Sequence, residues 1–240
     1  MSGHSKWSTI KRQKAVTDAK KSAVFTKIAN AITVAAKSGA DPTMNFTLRL
    51  VLDQARAANM PQVNVQRAID RGSGKLGGAA IEEVMYEGYG PGGTAIIIEC
   101  ATDNKNRTYP EVRNAFTKNG GNMAEPGSVA FQFTRKGVIH ATFTGDADDA
   151  MLAAIDAGAE DAEADENELR IYTDSKQLAA VRDALGGAGL TVTEAELAFV
   201  PNNTVELTDP ETVRKVTNLM DALDDLDDVV NTYSNFEISE

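Results

Sequence analysis

The apolar positions of this chain change period as it is followed. From Thr17 they recur at Val24, Ile28, Ala31, Ile32 and Ala35, the i, i+4, i+7, i+8, i+11 spacing that gathers side chains on one face of a helix. Gly39, Asp41 and Pro42 stop that helix. A second apolar face runs through Leu48, Val51, Leu52 and Ala55 and ends at Asn59-Met60-Pro61. A third carries Val65 and Ile69 and ends at Arg71-Gly72-Ser73-Gly74. Three short helices with short connections predict a small bundle. Beyond Tyr86 the pattern switches. Four glycines (Gly88, Gly90, Gly92 and Gly93) run into Thr94–Cys100, whose β-branched residues predict a buried strand.

A polar loop, Thr102 to Thr108, leads to a helix built on Val112, Ala115 and Phe116 and stopped by Asn119-Gly120-Gly121. Ser128 to Thr134 alternates around Val129, Phe131 and Phe133, the pattern of a half-buried strand. Then come a strand over Gly137–Phe143, a helix over 146–157, a short strand near Ala162–Ala164 and a strand over Glu168–Thr173. A helix over 175–188 and a strand over Thr191–Val200 complete a β-α-β-β-α-β order, the ferredoxin-like arrangement. Asp209-Pro210-Glu211 opens one more helix, with proline in its first turn, and Val229–Phe236 is the last strand.

The glycine stretch invites a phosphate-binding interpretation. A dinucleotide fingerprint, however, places its glycines between a strand and a helix whose N-terminus faces the pyrophosphate. Here a strand follows the glycines, and no lysine followed by Ser or Thr completes a Walker loop. The residues predict a tight turn in which glycine takes positive φ and Pro91 sets the bend.

Charge changes the picture more than composition does. The net charge is −11, yet residues 1–75 hold 13 Lys+Arg against 4 Asp, and residues 76–240 hold 11 against 31 acids. Residues 1–37 alone carry eight cations and one acid, Asp18. A helix charged only for solubility mixes signs, so this segment points to a polyanion, nucleic acid being the natural one. Lys6, Lys11, Arg12, Lys14, Lys20, Lys21 and Lys27 are its candidate phosphate contacts. Trp7 either stacks on an unpaired base or caps the bundle. His4 belongs to the same arm. Asn104-Lys105-Asn106-Arg107 is either a second basic contact or a solvated loop before a helix starting at Thr108. No recognition helix with clustered base-reading Asn, Gln or Arg is evident.

Chemistry is otherwise sparse. A single cysteine, Cys100, excludes an internal disulfide, fits a reducing compartment and reads as a packed core thiol. His140 has no Ser, Cys or Asp partner at a recognisable spacing. Asp161, Glu163, Asp165 and Glu166 fail as a calcium loop, because glycine is required where Glu166 stands. Asp224, Asp225, Asp227 and Asp228 are either a solvated acidic face or the ligands of a hard cation. With no catalytic constellation, cofactor site or metal site, the expectation is a non-enzyme. The chain lacks a signal-peptide core and any membrane-length apolar run, so the expected location is cytoplasmic.

Several motifs resemble the YebC/PmpR family, which contains transcriptional and translational regulators, among them the mitochondrial translational activator of cytochrome c oxidase subunit one. They include Gly3-His4-Ser5-Lys6-Trp7, Asp18-Ala19-Lys20, Phe25-Thr26-Lys27-Ile28, Asn59-Met60-Pro61 and Tyr86 to Gly93. Further along come Asp103 to Thr108, Gly127 to Phe131, Gly137-Val138-Ile139, Ala157 to Asp161 and Leu223 to Val229. This chain departs from the family's usual Arg-Glu pair at Asn30-Ala31, and from a usual lysine near Gln62.

The resemblance implies an α+β multidomain fold. A basic helical domain over 1–75 is followed by an α/β domain formed from 76–134 and completed by 201–240, with the acidic ferredoxin-like domain, 135–200, inserted. It implies a regulator that binds promoter DNA or, as a ribosome-associated translation factor, ribosomal RNA, with neither membrane nor small-molecule substrate. Two other classes remain at this level: a nucleotide-dependent enzyme using the Gly88–Gly93 turn, and a protein-interaction scaffold using the acidic faces.

Overall fold

The computed structural model describes residues 18–77 and 79–238, with side chains described from residue 23 onward. The chain divides into two compact units, residues 1–133 with 201–240, and residues 134–200. The first unit begins with helices α1 (Asp18–Ala36), α2 (Phe46–Ala57) and α3 (Gln62–Gly72). Ile32, Leu48, Leu52, Ala55, Val65 and Ile69 close their shared core. Asn45 caps α2, its side chain accepting from the Leu48 amide and donating to the Ala35 and Gly39 carbonyls. Gly72 lets α1 and α3 touch. A Cβ there would fall on the Thr33 carbonyl and 2.8 Å from Ala36 Cβ.

The same unit holds a four-stranded sheet of order β3-β1-β2-β9, with β1 Glu82–Tyr89, β2 Ala95–Thr102, β3 Asn122–Ala124 and β9 Val229–Ser234. Helices α4 (Lys105–Lys118) and α7 (Pro210–Asp224) supply the core above it, Val112, Phe116, Val216, Leu219 and Leu223 meeting Ile96, Ile98 and Cys100. Ala95 and Ile97 point the other way and are fully buried too, which explains why β2 is continuously apolar rather than alternating. Helix α1 packs against β2 and β9.

The second unit carries β4 (Phe133–Thr142), α5 (Ala147–Asp156), β5 (Asp161–Asp165), β6 (Glu168–Asp174), α6 (Leu178–Gly187) and β7 (Thr191–Pro201). Its strand order β5-β6-β4-β7 is that of the ferredoxin-like fold. Ile139, Leu169, Ile171, Leu178, Val181 and Leu185 are buried in it.

Some expectations change. The alternation at Ser128–Thr134 is not a strand: Ala130–Gln132 is a 3-10 turn, and Phe131 is 72% exposed. The amides of Gly127, Val129 and Ala130 donate to the Glu87 carboxylate instead of a neighbouring strand. Strands β1, β3 and β8 (Val205–Leu207) lack a sequence pattern strong enough to announce them. The last strand breaks at Asn235, whose side chain accepts from the Ala95 amide. Beyond it β10 (Phe236–Ile238) pairs with β8 in parallel. Helix α4 starts at Lys105, not Thr108, because Asn104 caps it.

Candidate nucleic-acid interface

Five of the eight predicted contacts, Lys6, Trp7, Lys11, Arg12 and Lys14, lie outside the described residues, as does His4. Lys20 and Lys21 occupy the first turn of α1, and their side chains also lie outside the described residues. Lys27 is half-buried, and its ammonium donates to the Asp224 carbonyl at the C-terminus of α7, where a helix dipole favours a cation. That contact gives Lys27 a role within the fold.

Other bundle cations behave similarly. Lys37 donates to the Ile81 carbonyl. Arg71 donates to the Ala79 carbonyl at 3.1 Å and reaches Asp103 at 3.4 Å. Arg49 donates to the Pro42 and Thr43 carbonyls over the Phe46 ring. Part of the bundle's positive charge therefore organises the first unit, and the charge count overstates what faces a ligand.

A face that sequence reasoning missed lies on α3. Helices α2 and α3 are joined by a short turn in which Asn59 takes φ 56°, the left-handed conformation asparagine tolerates after a helix. The first two turns of α3 then expose Gln62, Val63, Gln66 and Arg67, Val63 to 71%. The Gln66 amide donates to Asp70 at 3.0 Å. An apolar residue on the polar side of an otherwise regular stripe, Val63 beside Gln62 and Gln66, was the available signal.

The loop and acidic candidates meet at one buried carboxylate, Asp228, while Asn104 to Arg107, Asp225 and Asp227 stay exposed. Asp228 is only 6% exposed and accepts from Thr102 at 3.0 Å, Thr108 at 2.6 Å and the Arg107 guanidinium at 2.8 Å. Burial pushes its carboxyl up, but the hydrogen bonds from Thr108, Arg107 and Thr102 outweigh burial and hold it below the usual carboxylate range. Arg107 also reaches Asp103, and Lys105 pairs with Glu82 at 2.5 Å. These cations are therefore engaged within the protein, and Asp228 is an anchor rather than part of a solvated face. Asp224 accepts from the Thr232 hydroxyl. Beside this network opens a cleft of about 540 Å³ lined by Asn30, Arg71, Asp103, Arg107, Glu111 and Asp227 among others. Its mixed signs favour no single ion.

The glycine stretch is the connection of a β-hairpin, Tyr89 facing Ala95. Gly92 has φ 75°, and the space above Gly88 is filled by the Phe116 ring, 2.6 Å from where a Cβ would sit. Protein atoms fill the space above Gly88, Gly90 and Gly92, and strand β2 follows where a dinucleotide site has a helix. Burial, with the nearby Asp228 charge, pushes the Cys100 thiol up to about 12, the direction that suppresses the thiolate. Asp161, Glu163 and Asp165 lie along β5, with Glu166 in the following turn at φ 52°. Among the described residues no three His, Cys, Asp or Glu side chains gather to hold a metal, and no helix is long and apolar enough to cross a membrane.

Comparison with known proteins adds to this geometry. A model of the TACO1/YebC protein N-terminal domain matches residues 5–75, and one of the TACO1/YebC second and third domain matches 81–236. A probable transcriptional regulatory protein of Roseiflexus castenholzii is 52% identical over all of this chain and 96% of its own length. One of Caldanaerobacter subterraneus is 49% identical over the whole of both. The crystal structure of a conserved hypothetical protein, Aq1575 from Aquifex aeolicus, superposes with a TM-score of 0.90 at 42% identity, covering 98% of each chain.

Proposed function

This chain belongs to the TACO1/YebC family, and we propose on that premise that it is a non-enzymatic regulator of gene expression that acts by binding nucleic acid. The observation that carries the proposal is the run of six cations against one acid, Asp18, in residues 1–21. The names of its relatives, probable transcriptional regulatory proteins, agree with it. The grip consists of Lys6, Lys11, Arg12, Lys14, Lys20 and Lys21, with Trp7 stacking on a base. Lys27 holds the bundle to α7 instead. Phosphate contacts of this kind position a protein without reading sequence.

The first reading of the target is structured RNA, on the ribosome. It is supported by a lysine-rich arm with one aromatic, suited to a backbone and an unpaired base. The second is promoter DNA, and the exposed Gln62, Val63, Gln66 and Arg67 of α3 favour it. Amides and a guanidinium match adenine and guanine edges in the major groove, and an aliphatic group matches the thymine methyl.

Ultraviolet crosslinking in cells, with sequencing of the attached nucleic acid, separates the two: reads at one region of ribosomal RNA support the first, reads sharing a promoter sequence the second. In vitro, about five duplex phosphate contacts give a log–log salt slope of about −4.5. Lys20→Glu with Lys21→Glu is expected to abolish binding with an unchanged helical spectrum. A flat salt response, or binding that survives the double reversal, overturns the electrostatic grip.

A further inference from the structure

The second unit carries 14 acids against 5 Lys+Arg, and its helix α5 presents an apolar ridge to solvent. Ala150 and Ala154 face the unit's core, whereas Leu152 is 59% and Ile155 44% exposed. Exposed Asp148 and Asp149 lie before this pair and exposed Asp156 after it. Spacings of three and four residues line these side chains along one face. Asp148 and Asp149 sit in the first turn beside the capping Asp146, where the helix dipole favours carboxylates. Asp156 occupies the last turn, which contains no basic residue. A carboxylate there opposes the dipole, so that end of α5 gains from a cation supplied from outside. The neighbouring edge strand β5, Asp161–Asp165, extends the negative field.

We propose that the Leu152–Ile155 ridge docks a cationic protein surface, of the kind an amphipathic helix with aliphatic residues on one side and Lys or Arg at their flanks presents. Charge complementarity identifies the occupant. Nucleic acid is repelled by this field. A second copy meeting α5 with α5 about a two-fold axis pairs residue i with j and j with i, which sets Asp148 of each copy against Asp156 of the other, carboxylate against carboxylate. An aliphatic pair inserted between two carboxylate ends supplies a desolvated centre and a charged rim. The inference does not rest on the nucleic-acid reading, because none of the cations of residues 1–75 take part in it.

The test uses the full chain and two labelled peptides of about five helical turns, identical in Leu and Lys content. One has leucines on a single face and the other has them scrambled. In fluorescence anisotropy the amphipathic peptide is expected to bind at least about tenfold more tightly. Leu152→Ser with Ile155→Ser is expected to erase that preference without moving the thermal midpoint. Asp148→Lys with Asp156→Lys is expected to lose the Leu/Lys peptide and gain its Leu/Glu counterpart, a swap that decides the matter even if the serine variant is poorly folded. Equal binding of the two peptides, or a preference that survives either double variant, overturns the proposal. So does sedimentation of the chain as a dimer that the serine variant dissociates, because the ridge is then a contact between copies.

Discussion

Glu87 and Asp228 are buried carboxylates that work as fasteners. Glu87, 2% exposed, gathers the amides of Gly127, Val129 and Ala130 at 2.6, 2.7 and 2.9 Å. Burial raises its pKa, but the three donors together outweigh burial and hold the carboxyl below its ordinary range. The sign follows from linkage. A carboxyl depressed in the folded state contributes stability that is fully present above its unfolded value, about 4.3, and is lost as pH falls through the folded value. Glu87→Gln places an amide N–H₂ against N–H donors and is expected to cost about 2 kcal/mol at neutral pH. Urea unfolding across pH 7 to about 3 checks it: the gap between wild type and variant narrows in acid as wild-type Glu87 takes up its proton. A gap independent of pH assigns the loss to packing alone.

At the scale of elements, close approach decides the bundle. Helices α1 and α3 meet at Gly72, where the Thr33 carbonyl sits in the place a Cβ would fill, and Thr33 Oγ1 donates to the Ala68 carbonyl at 3.2 Å. The obstacle is backbone, so it cannot rotate away. Gly72→Ala, which would favour an isolated helix, is expected here to destabilise by about 1–3 kcal/mol through overpacking. Thermal unfolding followed by circular dichroism measures it, and a neutral or stabilised variant would show that α1 and α3 slide apart cheaply. Lys27, Lys37 and Arg71 act on the same scale, tying the bundle to α7 and to the carbonyls of Ile81 and Ala79. Helical periodicity made all three bundle helices legible, because 3.6-residue spacing survives in sequence. β1 was not legible: in Glu82–Tyr89 the buried Glu87 and Gly88 interrupt any simple alternation.

For the whole molecule, the second unit leaves the first at one place. The Asn202 amide donates to the Gln132 carbonyl at 2.8 Å, and the Asn202 side chain donates to the Phe131 carbonyl at 3.2 Å. The two ends of the first unit are therefore adjacent, and a short Gly-Ser linker can close them with little loop-closure cost. Replacing residues 134–200 with such a linker is expected to leave a cooperatively unfolding protein that retains the helical signal of the bundle. Removal of the acidic unit is also expected to raise its affinity for nucleic acid at low salt, since long-range repulsion is lost. Calorimetry and filter binding test the two halves. Loss of cooperativity would mean that the inserted unit is needed for the first to fold.

Local chemistry was enough for the helix faces, the glycine turn, the order of elements in the second unit and the uneven charge, because periodicity, backbone freedom and formal charge belong to short stretches of chain. The quoted motifs carried the family in the same way. Which charges are available to a ligand was decided only by tertiary structure. Lys27 and Arg107 look like their neighbours in sequence, yet one meets Asp224 and the other Asp228, each more than one hundred residues away. The same holds for Glu87 and Asp228, which resemble any surface carboxylate until the donors that pay for their burial come together from distant segments. Partners so far apart in sequence meet only when the chain closes, and that is why no local pattern announces them.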